Sequence, residues 1–369
     1  MKIPRKTIEN MKKLLFLLLF VSVLTQTHAG TNSWYKLFTG KIDSYPITMS
    51  LVKYGDEVRG YYYYDKYKKP IEIFGSTPGD SIRLVAYISA DGSENFDGVY
   101  KSGSYTGKWS TAPGNKEYSF SLSEDKTVSG EMEFVYVKGE ERLFKDLETP
   151  VANYLEGTFW PKEKYDNATF VRNSILKMKN KRSGLNEIGD LLLANKKKFM
   201  TDFRDYNAEV KHEDVESGGW SYSLENIDLT VPVFFNERIF VYSNYNYSFT
   251  GGAHGNYGTG YTNLDLKRRR VLELDDIISK KDQPKLSNLL EKYYKIERGY
   301  PQEKTLQEIG LFLDTIPVNG NFAISPAGIM FDYVPYEISS YAEGEITISI
   351  PYEEISSYIK PEAKELFKQ

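Results

Sequence analysis

From Trp34 to about Glu124, apolar and polar side chains alternate in short runs separated by turn signals. In PITMSLVKY, Ile47, Met49 and Leu51 fall on one face before YGDE turns the chain. SIRLVAYI repeats the rhythm with Ile82, Leu84, Ala86 and Ile88. Side chains two residues apart share a strand face, so this rhythm predicts half-buried strands. EVRGYYYY, IEIFG, ENFDGVYK, SYTGKWS and KEYSFSLS complete the series. With Trp34–Ile42 counted first there are about eight strands at roughly ten-residue spacing, the mark of an all-β barrel or sandwich. Gly60, Gly98 and Gly107 interrupt these strands, as bulges or close backbone approaches at barrel corners do. A meander that closes removes both sheet edges, so an up-and-down barrel is the first expectation and a two-sheet sandwich the second.

Strict alternation lapses in VKGEERLFKDLETPVANYL, and the pattern beyond it is mixed. LNEIGDLLLANKKKFMTDFRDY sets Ile188, Leu191, Leu192, Phe199 and Phe203 on one helical stripe. Strands are predicted in GGWSYSLENIDLTVPVFF, RIFVYSNYNYSFT and YGTGYTNLDL, then helices around Pro284–Ile296 and Gln302–Leu313. GNFAIS, AGIMFDYVP and GEITISIPYEEI close the series before a short terminal helix. Strand runs grouped around helix runs indicate an α+β region. The expected division is therefore 1–29 leader, 30–147 all-β barrel-like domain and 148–369 α+β domain.

The leader is read from MKKLLFLLLFVSVLTQTHAG, with basic Lys12 and Lys13, an apolar run from Leu14 to Leu24 and small residues before Gly30. That is the pattern of a secretory signal peptide cleaved after Ala29, with Met1 or Met11 as the start. The expected location is periplasmic or extracellular, with no transmembrane anchor in the mature chain. The absence of cysteine excludes a disulfide framework, thiolate metal sites and cysteine nucleophiles. Loss of residues 1–29 removes five basic and one acidic side chain, leaving 42 against 50 and a net charge of −8. That balance argues against nucleic acid as a partner. The dense basic run Lys267–Arg270 is expected to be a solvated hairpin turn.

Little in the chain reads as catalysis. His212 and His254 are the histidines outside the leader, and neither lies in a Gly-x-Ser-x-Gly elbow or a His-x-x-x-His pair. No catalytic residue, metal or cofactor is assigned. Asp275 and Asp276 are most simply an acidic pair at a helix start. FTGGAHGNYG places Gly251, Gly252 and His254 in one loop, where the glycines would supply positive φ for a hairpin or bulge. PYEISSYAEG offers Pro335, Tyr336, Glu337 and Tyr341 on an exposed connection, and tyrosines there suit protein or glycan binding. In the barrel, Tyr62, Tyr64, Tyr100 and Trp109 would line a ligand cavity or simply fill the interior, the plainer expectation.

YSFTGGAHGNYGTGYTNLDLKRRRVLELDDII and NFAISPAGIMFDYVPYEISSYAEGEITISIPYEEI resemble the extracytoplasmic domain of the RsiV-type lysozyme-sensing anti-sigma factors. A similar domain occurs in envelope proteins of unknown function and beside some peptidoglycan deacetylases. The resemblance runs from about Asn186 to Leu366 and rests on Gly251–Gly255, on Leu264–Leu266 with Leu272–Ile277, and on Pro335–Gly344. It implies an α+β domain that binds lysozyme outside the membrane and implies no catalytic activity. The sigma-binding segment and retained membrane helix of that family have no counterpart here, so its signalling by proteolysis is not implied. The sequence thus predicts non-catalytic binding of a lysozyme-like protein or peptidoglycan fragment. The alternatives are a glycan hydrolase with paired carboxylates and a small-ligand carrier using the barrel.

Overall fold

The computed structural model describes residues 32–89, 92–114, 116–179, 187–216 and 218–368. The leader at 1–29 and its cleavage after Ala29 lie outside them. Eight consecutive antiparallel strands come first: β1 Ser33–Ile42, β2 Tyr45–Tyr54, β3 Glu57–Tyr64, β4 Ile71–Ser76, β5 Ser81–Ser89, β6 Gly92–Lys101, β7 Ser104–Ala112 and β8 Glu117–Glu124. Phe38–Ile42 of β1 pairs with Phe120–Glu124 of β8, which closes the meander into a barrel and excludes the sandwich. Gly98 and Gly107 face each other across β6 and β7. A Cβ on Gly98 would lie 2.7 Å from the tip of the Phe120 ring, so glycine makes room for that ring in the packed interior.

Helix α1 (Lys126–Glu131), capped by the Asp125 side chain, leads out of the barrel. A six-stranded sheet follows, made of β9 Met132–Arg142, β10 Val151–Pro161, β11 Leu224–Phe235, β12 Ile239–Phe249, β13 Asn256–Asp265 and β14 Arg270–Leu272. Strand partnership therefore changes between Glu124 and Met132, and β9, grouped with the barrel in the sequence division at 147, hydrogen-bonds along its length to β10. Between the parallel strands β10 and β11 run α2 (Ala168–Lys179), α3 (Ile188–Tyr206) and the single turn α4 (His212–Val215). After β14 come α5 (Leu274–Ile277) and α6 (Leu286–Arg298), then a three-stranded sheet of β15 Phe322–Ser325, β16 Gly328–Tyr333 and β17 Ile346–Pro351, followed by α7 (Tyr352–Ile355). Asn263 ties the two sheets together, donating to the Phe322 carbonyl at 2.7 Å and accepting from the Ile324 amide at 3.0 Å.

Lys267–Arg269 lie in the exposed turn between β13 and β14, as expected, and Arg270, also exposed, opens β14. The helix expected over Gln302–Leu313 is not formed. Only a 3-10 turn at Gln307–Ile309 appears, ended by Gly310 at φ +98°. Leu311 then pairs with Ser339, and the Phe312 amide donates to the Ile338 carbonyl at 2.9 Å, so tertiary pairing takes the segment that periodicity assigned to a helix.

The barrel interior packs as its own core, and the outer wall of the barrel joins a second core with the sheet. Tyr35, Leu37, Val52, Tyr54 and Tyr61 on the outer wall of β1–β3 are buried against the second sheet. Tyr54 packs on Phe134 and Tyr136, the even-numbered side of β9. The odd side faces α3, since a Cβ on Gly139 would touch Lys196 and Met200. The sheet is thus layered between barrel wall and helix. Among the described residues, no helix is long and apolar enough to cross a membrane.

Candidate functional site

Two loops far apart in sequence meet at one edge of the α+β region. Gly251 and Gly252 lie in the β12–β13 connection with φ of +87° and +97°, the left-handed backbone that glycine adopts without strain. Gly251 also passes so close to the turn at Trp220–Tyr222 that a Cβ would sit 2.4 Å from the Ser221 carbonyl oxygen. The hairpin aims His254 at the 335–341 loop. Its ring stacks on Tyr341 with centroids 3.8 Å apart and planes at 23°. With Nδ1 protonated, the ring donates to the Gly255 carbonyl at 3.1 Å, and Nε2 accepts from the Tyr336 hydroxyl at 3.4 Å. The Tyr341 hydroxyl donates to the same Gly255 carbonyl at 2.8 Å.

Pro335 and Tyr336 form the centre of a tight turn in which the Glu337 amide donates to the Val334 carbonyl at 3.0 Å. Tyr336 has φ +71°, the third-position conformation of a type II turn that glycine or asparagine normally takes. A tyrosine held there costs roughly 1 kcal/mol. That cost holds a ring 56% exposed beside His254. Glu337 has a structural task, accepting from the Val334 amide and from Asn319. Tyr257 packs edge-on to Tyr341, and burial pushes its phenol up to about 12, with Tyr341 and Glu345 adding to the rise. The phenol is therefore a neutral donor. Trp220, 51% exposed and lying over Phe249, extends the aromatic surface along the other contact of the loop.

The sequence-predicted residues Gly251, Gly252, His254, Pro335, Tyr336, Glu337 and Tyr341 thus come together. Among the described residues His254 hydrogen-bonds to no carboxylate, and His212 lies elsewhere, between Asp146 at 2.9 Å and Glu216 at 3.2 Å. Donation of a hydrogen bond to the Asp146 carboxylate, with Glu216 adding to it, raises the His212 pKa. Trp220 lies outside both loop motifs, with its place directly after Gly218-Gly219 as the available signal, while Tyr257 lies within FTGGAHGNYG but is not singled out there by residue type.

Carboxylates gather at the seam between barrel and sheets. Arg59 lies 4.1 Å from the Tyr245 ring centre and pairs with Glu72 at 2.5 Å. Asp332, 2% exposed, accepts from Thr347 at 2.7 Å through Oδ2, and its carboxyl shares a hydrogen bond with Glu345. Burial, then the neighbouring Glu345, holds the Asp332 carboxyl well above the usual range. Glu345, raised by burial and Glu72, accepts from the Thr259 amide and hydroxyl. Asp332 is thus enclosed by protein, while Glu345 keeps partial access to solvent. Beside the seam, an apolar hollow of about 250 Å³ is lined by Pro70, Ile296, Ile324, Met330 and Ile350.

In the barrel, Tyr62, Tyr64 and Trp109 converge on a fourth residue, Glu94, while Tyr100 lies apart and donates to Glu124 beside Lys36. The interior between is filled by side chains such as Phe38, Leu51, Phe96, Phe120 and Leu122. Glu94 follows the inward parity of Phe96 and could have been found from it.

Residues 275–353 match the family described as Protein of unknown function (DUF3298). That span includes the Pro335–Tyr341 loop; the His254 hairpin precedes it. A DUF3298 family member from Bacteroides fragilis shares the fold, with TM-score 0.57 and 24% identity over 64% of this chain and 97% of that one. A DUF3298 family protein from Pseudomonas aeruginosa superposes with TM-score 0.44 and 19% identity over 62% of this chain and 94% of that one. No curated protein matches the chain. At residues 275–353, then, the chain carries a DUF3298 domain.

Proposed function

We propose that the surface formed by His254, Tyr336 and Tyr341, flanked by Trp220, binds an extracytoplasmic macromolecule without transforming it, and that the ligand is a lysozyme-like protein or peptidoglycan. The observation that carries this reading is the convergence of two loops on an exposed aromatic surface, with Tyr336 kept outward in a conformation that costs energy. Rings of this kind give large contact area at low entropic cost, against either sugar faces or protein side chains. Support for a non-catalytic role comes from the carboxylates. A glycan hydrolase needs two of them across an open cleft, and of the Asp332–Glu345 pair Asp332 is buried and Glu345 only partly exposed. The choice of ligand rests on the sequence resemblance.

The test is co-sedimentation of residues 30–369 with purified peptidoglycan, capture on immobilised lysozyme, and a cell-wall turbidity assay. Retention of one ligand is expected, weakened about tenfold by Tyr336→Ala as for an interface hot spot. Retention of neither overturns the ligand assignment, and clearing of cell walls overturns the non-catalytic role.

A further inference from the structure

At the end of the barrel carrying the β1–β2, β3–β4, β5–β6 and β7–β8 connections sits a carboxylate with an unusual set of neighbours. Glu94 is 8% exposed. Its Oε2 accepts from the Tyr62 hydroxyl at 2.7 Å, the Tyr64 hydroxyl at 2.8 Å and the Trp109 indole N–H at 2.8 Å. All three donors are neutral. Among the described residues no lysine, arginine or histidine pairs with Glu94, and Oε1 takes no hydrogen bond from the protein. Buried carboxylates are normally neutralised by a cationic partner, because an uncompensated charge away from water is costly. Here three directed donors hold the carboxylate in place and leave both its charge and one oxygen available.

The surroundings suit a cation. Tyr64 is met edge-on by Tyr45, and Trp109 is stacked by Tyr118 at 5.7 Å and 20°. Tyr45 and Tyr118 are exposed, so the aromatic walls continue from the buried carboxylate to the rim. Aromatic faces attract a cation, and a carboxylate at their base attracts it further. A divalent metal is a poor fit, since hard cations take about six oxygen ligands and, among the described residues, Glu94 is the one carboxylate in this cluster. An anion would be repelled.

We propose that the barrel mouth is a binding site for an organic ammonium group, which donates an N–H to Glu94 Oε1 and packs its aliphatic portion between Tyr45, Tyr64 and Tyr118. The site is independent of the His254 surface, and either can fail without the other. The packed barrel interior confines the ligand to the mouth, so an amine at the end of a chain fits, whether free or carried by a peptide.

The experiment is a titration of ¹⁵N-labelled protein with pentylammonium, with pentanol and pentanoate as neutral and anionic probes of the same length. A lysine-containing peptide with a blocked N-terminus is a further arm. The indole N–H signal of Trp109, assigned by its loss in Trp109→Phe, is the readout. Pentylammonium is expected to shift it saturably, at least tenfold more tightly than either control. Glu94→Gln should remove that preference, and Tyr118→Ala should weaken binding about threefold, the loss expected of one exposed cation–π wall. Binding of the peptide places the ammonium on a polypeptide; binding of pentylammonium alone places it on a small molecule. No saturable shift with either ammonium, equal binding of pentanol, or unchanged affinity in folded Glu94→Gln would overturn the proposal. Should Glu94→Gln fail to fold, unchanged affinity in Tyr118→Ala overturns it.

Discussion

Asp332 shows how a single side chain sets the behaviour of the seam. One of its oxygens accepts from Thr347, the residue is buried, and its carboxyl shares a hydrogen bond with the neighbouring acid Glu345. Its folded-state pKa is raised, so its contribution to stability is fully present below the unfolded value of about 4 and is lost as pH rises through the raised one. Asp332→Asn should therefore stabilise the protein at neutral pH by about 1–2 kcal/mol and flatten the fall in melting temperature as pH rises from about 4 to 8. Thermal melts across that range check it; a variant less stable than the parent at pH 8 contradicts the account. None of this was legible in the sequence, because DYVPYEISSYAEGE does not say which acids are enclosed. Gly251 and Gly252 were legible, since positive φ is a property of the residue type. The positive φ of Tyr336 was not, because only the turn around it and its contacts hold a tyrosine there.

At the scale of elements, strands with one face packed and one face wet announce themselves, which is why the barrel meander is readable as alternation. Strand β10 is different. VANYLEGTFWP is buried along nearly its whole length, between antiparallel β9 and parallel β11, so it carries no alternation to read. Its one acid, Glu156, is held by the crossover helix. The side chain of Lys179, at the end of α2, is 1% exposed, reaches Asp228 of β11 at 2.5 Å and lies 3.4 Å from Glu156, while Tyr154 and Asn195 also donate to Glu156. Burial opposes the Lys179 charge, but the two carboxylates outweigh it and its pKa is raised; for Glu156 burial wins and the pKa is also raised. Lys179→Met leaves both acids uncompensated and should cost about 3–5 kcal/mol in urea unfolding, with part recovered in Lys179→Met/Glu156→Gln. A loss below 1 kcal/mol would mean the pair does not anchor α2. The unformed helix at 302–313 is the converse case, where a helical apolar spacing is broken by Gly310 and pairing with 338–339 takes over.

The whole molecule is more unified than its sequence, whose two periods suggest separable halves. The barrel wall at Tyr35, Leu37, Val52, Tyr54 and Tyr61 is part of the same core as β9–β12, and polar ties such as Ser33 to the Phe134 carbonyl at 2.7 Å and Tyr61 to Ser243 at 3.2 Å run across the seam. Calorimetry of residues 30–369 should show one cooperative transition, and a fragment of residues 30–125 should aggregate through that uncovered wall. Two separate transitions, with a fragment as stable as its counterpart in the full chain, would contradict a shared core. The site was half legible: each loop could be picked out as glycine-rich or tyrosine-rich, but their meeting is a product of the β12–β13 hairpin lying beside the β16–β17 connection. That meeting is the central claim, and hydrogen–deuterium exchange with and without peptidoglycan or lysozyme tests it most directly. The account predicts slower exchange on binding in both 249–257 and 335–344, lost together in His254→Ala/Tyr336→Ala, with the barrel at 33–124 unchanged. Exchange that slows elsewhere while these two loops stay as they were, or in neither place with either ligand, would contradict it.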